Sequence, residues 1–132
     1  MPKKILLIDD EEDLVTMLGF RLEASGLRVV GASGGREGIE KAKKEKPDLI
    51  LLDLMMPNMD GFEVAVRLSE DSSTKSIPIV IFTAAVSPEL AEKIRQTHAV
   101  GYLTKPFEPE VLIAKVKKVL LGESGETHGK TE

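Results

Sequence analysis

Five short apolar runs punctuate the chain: KILLID (4–9), RVVGAS (28–33), LILLD (49–53), IPIVIFTA (77–84) and GYLTK (101–105). Each is rich in leucine or β-branched residues and bounded by turn formers, which predicts five strands. Between the runs the period of the apolar positions changes. Leu14, Leu18 and Leu22 recur at i, i+4 and i+8, the stripe of a helix that should stop at Gly26, where glycine can take the left-handed cap. Phe62 and Val66 mark a stripe after the third strand, and Leu112, Val116 and Val119 another after the fifth. The fourth helix is predicted to open with Ser87 as N-cap and Pro88 in its first turn, and the last near Glu108 and Pro109. The order is strand, helix, repeated five times.

The strands are continuous apolar runs without alternation, as expected when both faces of a sheet are covered. Alternating βα units with right-handed crossovers then give an α/β fold, an open doubly wound five-stranded parallel sheet with five helices. Ligand chemistry in such sheets collects at the carboxyl ends of the strands. At 132 residues the chain has the size of one domain, assigned to residues 1–121. The remainder, 122–132 (GESGETHGKTE), has no apolar residue to anchor it and is expected to be a disordered tail.

Composition narrows the function classes. No apolar stretch approaches the roughly 20 residues of a membrane span, so no membrane insertion is expected. The apolar run after Lys3 and Lys4 is too short for a signal peptide, which points to a cytoplasmic protein. The chain has no cysteine, which removes disulfides, thiolate nucleophiles and cysteine-based metal sites. A net charge of −4 and few aromatics argue against direct nucleic-acid binding.

The stretch DLILLDLMMPNMDG (48–61) raises a specific question, because its apolar run ends on the carboxylate of Asp53. Taking an ionised carboxylate out of water costs several kcal/mol unless something compensates it. The strand ends together supply Asp9 and Asp10, Asp53, Thr83 and Lys105, whereas the second strand ends in Ser33, Gly34 and Gly35 and adds nothing ionic. At roughly 5 Å and an effective dielectric near 20, each pair of carboxylates repels by about 3 kcal/mol. A cation should therefore sit among them. Hard oxygen ligands with room for water suit Mg²⁺ or Mn²⁺. A divalent ion beside a carboxylate, faced by a lysine and a hydroxyl, suits phosphoryl transfer, where catalysis is mostly positioning and charge neutralisation.

ILLIDDEED, LLDLMMPNMDG, FTA and YLTKPF, in that order over residues 3–121, resemble the receiver domain of two-component response regulators. The resemblance implies the flavodoxin-like sheet with strand order 2-1-3-4-5, an order the general rule for ligand crevices already illustrates with a receiver protein. It implies that Asp53 is the phosphoacceptor, taking a phosphoryl group from a histidine kinase or phosphotransfer protein. Asp10 would bind Mg²⁺ directly, Asp9 through water, Asp53 as a third carboxylate, and Met55 through its backbone carbonyl. Lys105 would pair with the phosphoryl oxygens, Thr83 would donate its hydroxyl to them, and Tyr102 would be the aromatic switch residue, turning from exposed to buried. Met55 and Ala85 would govern access of the hydrolytic water. The surface of the fourth helix, fifth strand and fifth helix is the implied site for a downstream protein partner or a phosphorylation-linked homodimer. The expected whole is a single-domain regulator without an attached output domain, a signalling switch rather than an enzyme acting on other molecules.

Blander roles stand beside these. Asp9 and Asp10 could cap the first helix, with Glu11, Glu12 and Asp13 favouring its positive end. Thr83 could be an ordinary strand residue and Tyr102 an edge residue. Lys105 could be a loop lysine, although a cis bond to Pro106 would aim it at the rim. KAKKEK (41–46) and KVKK (115–118) read as solvated helix faces, and His98 and His128 as incidental. A haloacid-dehalogenase-type phosphatase, the nearest rival enzyme, wants a second acid two residues after its nucleophile, where this chain has Met55. A pseudo-receiver would usually have lost acids or the lysine, and this chain keeps them.

Overall fold

The structure, a computed structural model, describes residues 2–56, 60–84 and 86–122. Ala85 and all of the expected tail except Gly122 lie outside the described residues. The elements alternate as β1 (Lys4–Ile8), α1 (Glu12–Ala24), β2 (Arg28–Ala32), α2 (Gly35–Glu45) and β3 (Leu49–Asp53). They continue as α3 (Gly61–Glu70), β4 (Ile79–Thr83), α4 (Pro88–Gln96), β5 (Gly101–Thr104) and α5 (Pro109–Leu120). All four strand pairings are parallel and the sheet order is β2-β1-β3-β4-β5. This is the expected doubly wound order.

Strand side chains alternate between two apolar layers. Leu6, Ile8, Ile50, Leu52, Ile79 and Ile81 face one cluster, shared with Ala42, Val64, Leu68 and Ile94 of α2, α3 and α4. Ile5, Leu7, Leu49, Leu51, Val80 and Phe82 face the other, closed by Leu18 and Leu22 of α1 and Leu112 and Val116 of α5. Two covered faces explain why the strands read as unbroken apolar runs. Among the described residues no helix is long and apolar enough to cross a membrane.

The predicted boundaries hold where a local signal sets them. Ser87 caps α4, its Oγ accepting from the Leu90 N–H at 3.1 Å, with Pro88 in the first turn. α1 gives way at Gly26, which takes the left-handed φ of 92°. The stripe proposed for α3 is corrected. That helix buries Val64, Ala65 and Leu68, while Val66 is exposed and Phe62 is only half-buried, with the Lys93 ammonium 4.9 Å above its ring. Its phase is set by its start. A Cβ on Gly61 would lie 2.5 Å from Leu54 Cα and 2.8 Å from Leu54 O, so only glycine lets the helix begin directly against the end of β3.

Two glycine substitutions test this packing by urea unfolding. Gly61→Ala should destabilise the chain by about 1–3 kcal/mol, because the obstructing atoms are backbone and cannot rotate away. Gly19→Ala, inside α1 with its nearest neighbour atom at 3.9 Å, should stabilise it by about 0.5–1 kcal/mol.

Candidate functional site

The carboxyl ends of β1, β3, β4 and β5 meet at one rim. Asp9 follows β1 and is fixed there because its N–H donates to Ala32 O of β2 at 3.0 Å. Its carboxylate Oδ1 accepts from the Glu11 N–H at 2.9 Å, which starts α1 with an acid two residues back rather than an N-cap side chain. Asp53 ends β3, and its Oδ1 accepts from the Met55 N–H at 3.1 Å. Both aspartates are buried, whereas Asp10 is exposed. One carboxylate oxygen from each of Asp9, Asp10 and Asp53 lies within 4.8 Å of the others. This all-oxygen set could hold a metal ion, and its chemistry suits a hard divalent cation. Of Met55, the backbone N–H is engaged at the rim while the side chain is 68% exposed.

Lys105 comes to the same rim from the other end of the sheet. The Lys105–Pro106 bond is cis, and the Lys105 N–H donates to Thr83 O at 2.7 Å. Its Nζ lies 3.1 Å from Glu11 Oε1, 3.4 Å from Asp9 Oδ2 and 3.6 Å from Asp53 Oδ2. The ammonium also stands 5.1 Å over the ring of Phe82, which packs edge-to-face against Phe107. Lys105 is thus no loose loop lysine. Thr83 is buried at the end of β4.

Tyr102 sits opposite Ile81 in the β4–β5 register and is 4% exposed, packed in the layer that includes Ile81, Ile94 and Ala99. The inward position expected only after switching is therefore the one this structure holds. Ala85, paired with Met55 in the expected control of water access, lies outside the described residues.

Burial dominates the electrostatics. It pushes the Asp9 carboxyl up to about 6, with the Asp53 charge adding to the rise and the Glu11 N–H and Lys105 opposing it. Burial also raises Asp53, against the Met55 N–H and the Lys105 charge. For Lys105, burial pulls downward, but the Glu11 hydrogen bond and the charges of Asp53 and Asp9 outweigh it, so the ammonium is held above its usual range. An acidic pair made reluctant to ionise, beside a firmly charged lysine, is a site prepared for added positive charge.

Sequence reasoning brought Asp9, Asp10, Asp53, Thr83 and Lys105 to one rim, and that is where they lie. It missed two acids. Glu11, read as helix-end charge, is the closest carboxylate to Lys105. Glu37 folds back from α2 so that its Oε1 accepts from Ser33 N at 2.8 Å and Ser33 Oγ at 2.9 Å, placing an acid at the β2 end that had seemed uncharged. The Ser33 N–H, the Lys41 ammonium 3.0 Å from its Oε2 and the Ser33 hydroxyl together hold its carboxyl down at about 2. The sequence signal is faint: Glu37 stands three residues after the N-cap Gly34, as in a capping box, but its partner is Ser33, one residue earlier.

The family model described as "Response regulator receiver domain" matches residues 5–117. The chain is 45% identical over 122 residues to the alkaline phosphatase synthesis transcriptional regulatory protein PhoP of Bacillus subtilis, covering 91% of this chain and 49% of that protein. It is 35% identical over 121 residues to protein PilH of Pseudomonas aeruginosa, covering 90% of this chain and 98% of PilH. The chain thus spans about half the length of PhoP and nearly all of PilH. The structure of Vibrio cholerae chemotaxis protein CheY4 superposes with a TM-score of 0.86 at 35% identity, covering 90% of this chain and 99% of that one.

The strained acids predict a pH dependence for the metal-free chain. A carboxyl whose folded pKa (about 6) exceeds its ordinary 3.8 holds its proton longer in the folded state. It therefore destabilises the fold fully above pH 6, and the penalty is relieved as pH falls through 6 toward 4. Relative to Asp9→Asn, wild type should gain stability over that window, by on the order of 3 kcal/mol at most. Parallel urea titrations at pH 7 and pH 4.5 that keep the same difference between the two proteins would contradict the assignment.

Proposed function

Because the chain belongs to the response regulator receiver domain family, we propose that it is a phospho-aspartate switch in which Asp53 accepts the phosphoryl group. The family works by phosphorylation-based signalling in two-component systems, and the assignment of individual residues here is our own. In the proposed step an Asp53 carboxylate oxygen attacks the phosphorus of a phosphohistidine on a kinase or phosphotransfer protein. The phosphorus–nitrogen bond breaks and the imidazole leaves, taking a proton from solvent.

The observation that carries this reading is the position of Lys105, 3.6 Å from Asp53 and 3.4 Å from Asp9 at the mouth of a three-carboxylate cluster. Asp9, Asp10, Asp53 and the Met55 carbonyl would hold Mg²⁺, which when bound supplies positive charge to the phosphoryl oxygens. Lys105 neutralises the charge that the phosphoryl group brings. Thr83 supplies a hydroxyl to the same oxygens. Met55, apolar where a phosphatase of the haloacid dehalogenase type would carry a second acid, favours a switch over a hydrolase.

The signal is proposed to leave through α4, β5 and α5. α4 has a single fully buried side chain, Ile94, and so is among the elements least tied to the core. Thr83 is joined through its carbonyl to the Lys105 N–H, and Tyr102 lies in register beside Ile81, two residues before Thr83. With Tyr102 already inside, phosphorylation would act by favouring that arrangement over others that the chain visits. A downstream protein, or a second copy of the chain, would read the difference. Neither nucleic acid nor membrane is assigned a direct contact, and a cytoplasmic location accords with this role.

Phosphorylation chemistry gives the first test. A small phosphodonor with Mg²⁺ should produce one acid-labile, hydroxylamine-sensitive acyl phosphate, lost in Asp53→Asn, and Mg²⁺ should raise the melting temperature of wild type but not of an Asp9→Asn/Asp10→Asn double variant. Full labelling of Asp53→Asn at another residue would refute the phosphoacceptor assignment.

Coupling gives the second. Beryllofluoride with Mg²⁺ should change chemical shifts along α4 and around Tyr102 as well as beside Asp53, and Thr83→Ala should keep phosphorylation while losing the distant changes. Shifts confined to the rim would rule out this route.

A further inference from the structure

The carboxylate nearest to Lys105 does not belong to the metal cluster. Nζ is 3.1 Å from Glu11 Oε1, closer than to either aspartate, and the Glu11 side chain is 62% exposed whereas those of Asp9 and Asp53 are 0% and 3% exposed. The Glu11 backbone is pinned, its N–H on Asp9 Oδ1, so only the side chain is free to turn between Lys105 and water. Glu11 and Lys105 also wall one cavity of about 520 Å³, with Leu14, Met17 and Phe107, at the approach to the rim.

We propose that Glu11 is a latch on Lys105: in the unphosphorylated chain its carboxylate holds the ammonium at the mouth of the site, and phosphorylation exchanges that carboxylate for phosphoryl oxygens. The proposal rests on the assignment of Asp53 and Lys105 made above. An ammonium has three donors, and here carboxylates surround it on one side. Phosphorylation replaces the single charge of the Asp53 carboxylate with an acyl phosphate that carries close to two negative charges and three terminal oxygens, and these compete with the resting carboxylates for the same ammonium donors. Asp9 is buried, and Asp53 carries the phosphoryl group itself. Glu11 is exposed and loses little on release, since an exposed ion pair contributes only about 0–1 kcal/mol. Glu11 is therefore a positioning residue that acts through Lys105, and it opposes arrival of an anionic donor for as long as the latch is closed.

Initial rates of Asp53 phosphorylation by acetyl phosphate with Mg²⁺, at donor concentrations below saturation, test the latch in wild type and three variants. Asp53 forms the new bond to phosphorus and acetate leaves. Glu11→Gln removes the charge, and Glu11→Asp keeps the charge but shortens its reach by one methylene. Both should raise the rate about two- to fivefold, the span that an exposed pair of up to 1 kcal/mol allows. Glu12→Gln makes the same change in net charge one residue along and should leave the rate unchanged. A rise in Glu11→Gln that Glu12→Gln reproduces, or that Glu11→Asp lacks, would reduce the effect to general charge and overturn the latch, as would Glu11 variants no faster than wild type. If wild type itself takes no phosphoryl group on Asp53, the phosphoacceptor reading falls and the latch with it.

Discussion

Everything at the rim follows from holding two buried carboxylates together at the end of an apolar sheet. Asp9 and Asp53 are both withdrawn from water, and the ordinary response of such a pair is to protonate, which is the direction in which burial drives both. Backbone N–H groups of Glu11 and Met55 and the ammonium of Lys105 push back. The balance leaves negative charge poised but not satisfied. Three carboxylates so placed could hold a cation without building a closed cage, which leaves coordination positions open.

The sheet makes this tension bearable. Five parallel strands with both faces covered form a rigid platform, and Asp9, Asp53, Thr83 and Lys105 are presented at adjacent strand ends rather than on long loops. Gly61 extends the platform by letting α3 start against the Leu54 backbone, which confines the chain just after Asp53. Backbone bonds across the rim, from Asp9 to Ala32 and from Lys105 to Thr83, continue the parallel ladder one residue beyond the strands. The charged groups are therefore held by the same hydrogen-bonding pattern that builds the sheet.

This pattern also explains how much was legible from residues alone. The strand LILLD was bounded correctly at both ends, because the apolar run is interrupted by Asp53, although burial continues through Leu54 and Met56. The other runs were read a residue or more too long, through Asp9, Ser33, Ala84 and Lys105, since composition does not show where a ladder ends and a loop bond takes over. The α4 start was legible because Ser87 and Pro88 act locally. The buried face of α3 was not. Phe62 and Val66 have the right spacing, but the phase is decided by the close approach at Gly61, and that contact exists only in three dimensions. The same limit hid Glu11. Its partner Lys105 lies 94 positions away, and a run of five consecutive acids reads equally well as a charged helix start.

Glu11 shows how one segment can serve two purposes without conflict. Its backbone N–H completes the hydrogen bonding of Asp9 at the start of α1, a role open to any residue but proline. Its side chain, projecting into solvent beside Lys105, is free to differ without disturbing the fold. Asp9 and Asp53 have no such freedom, since each is buried and accepts a hydrogen bond from a backbone N–H two residues on. A receiver built this way keeps its chemistry in residues that the sheet immobilises and leaves adjustment of that chemistry to exposed residues at the mouth. The interaction that would tune the switch is then the most exposed ion pair of Lys105, because only a pair that water can replace is able to open and close while the rest stays charged and in place.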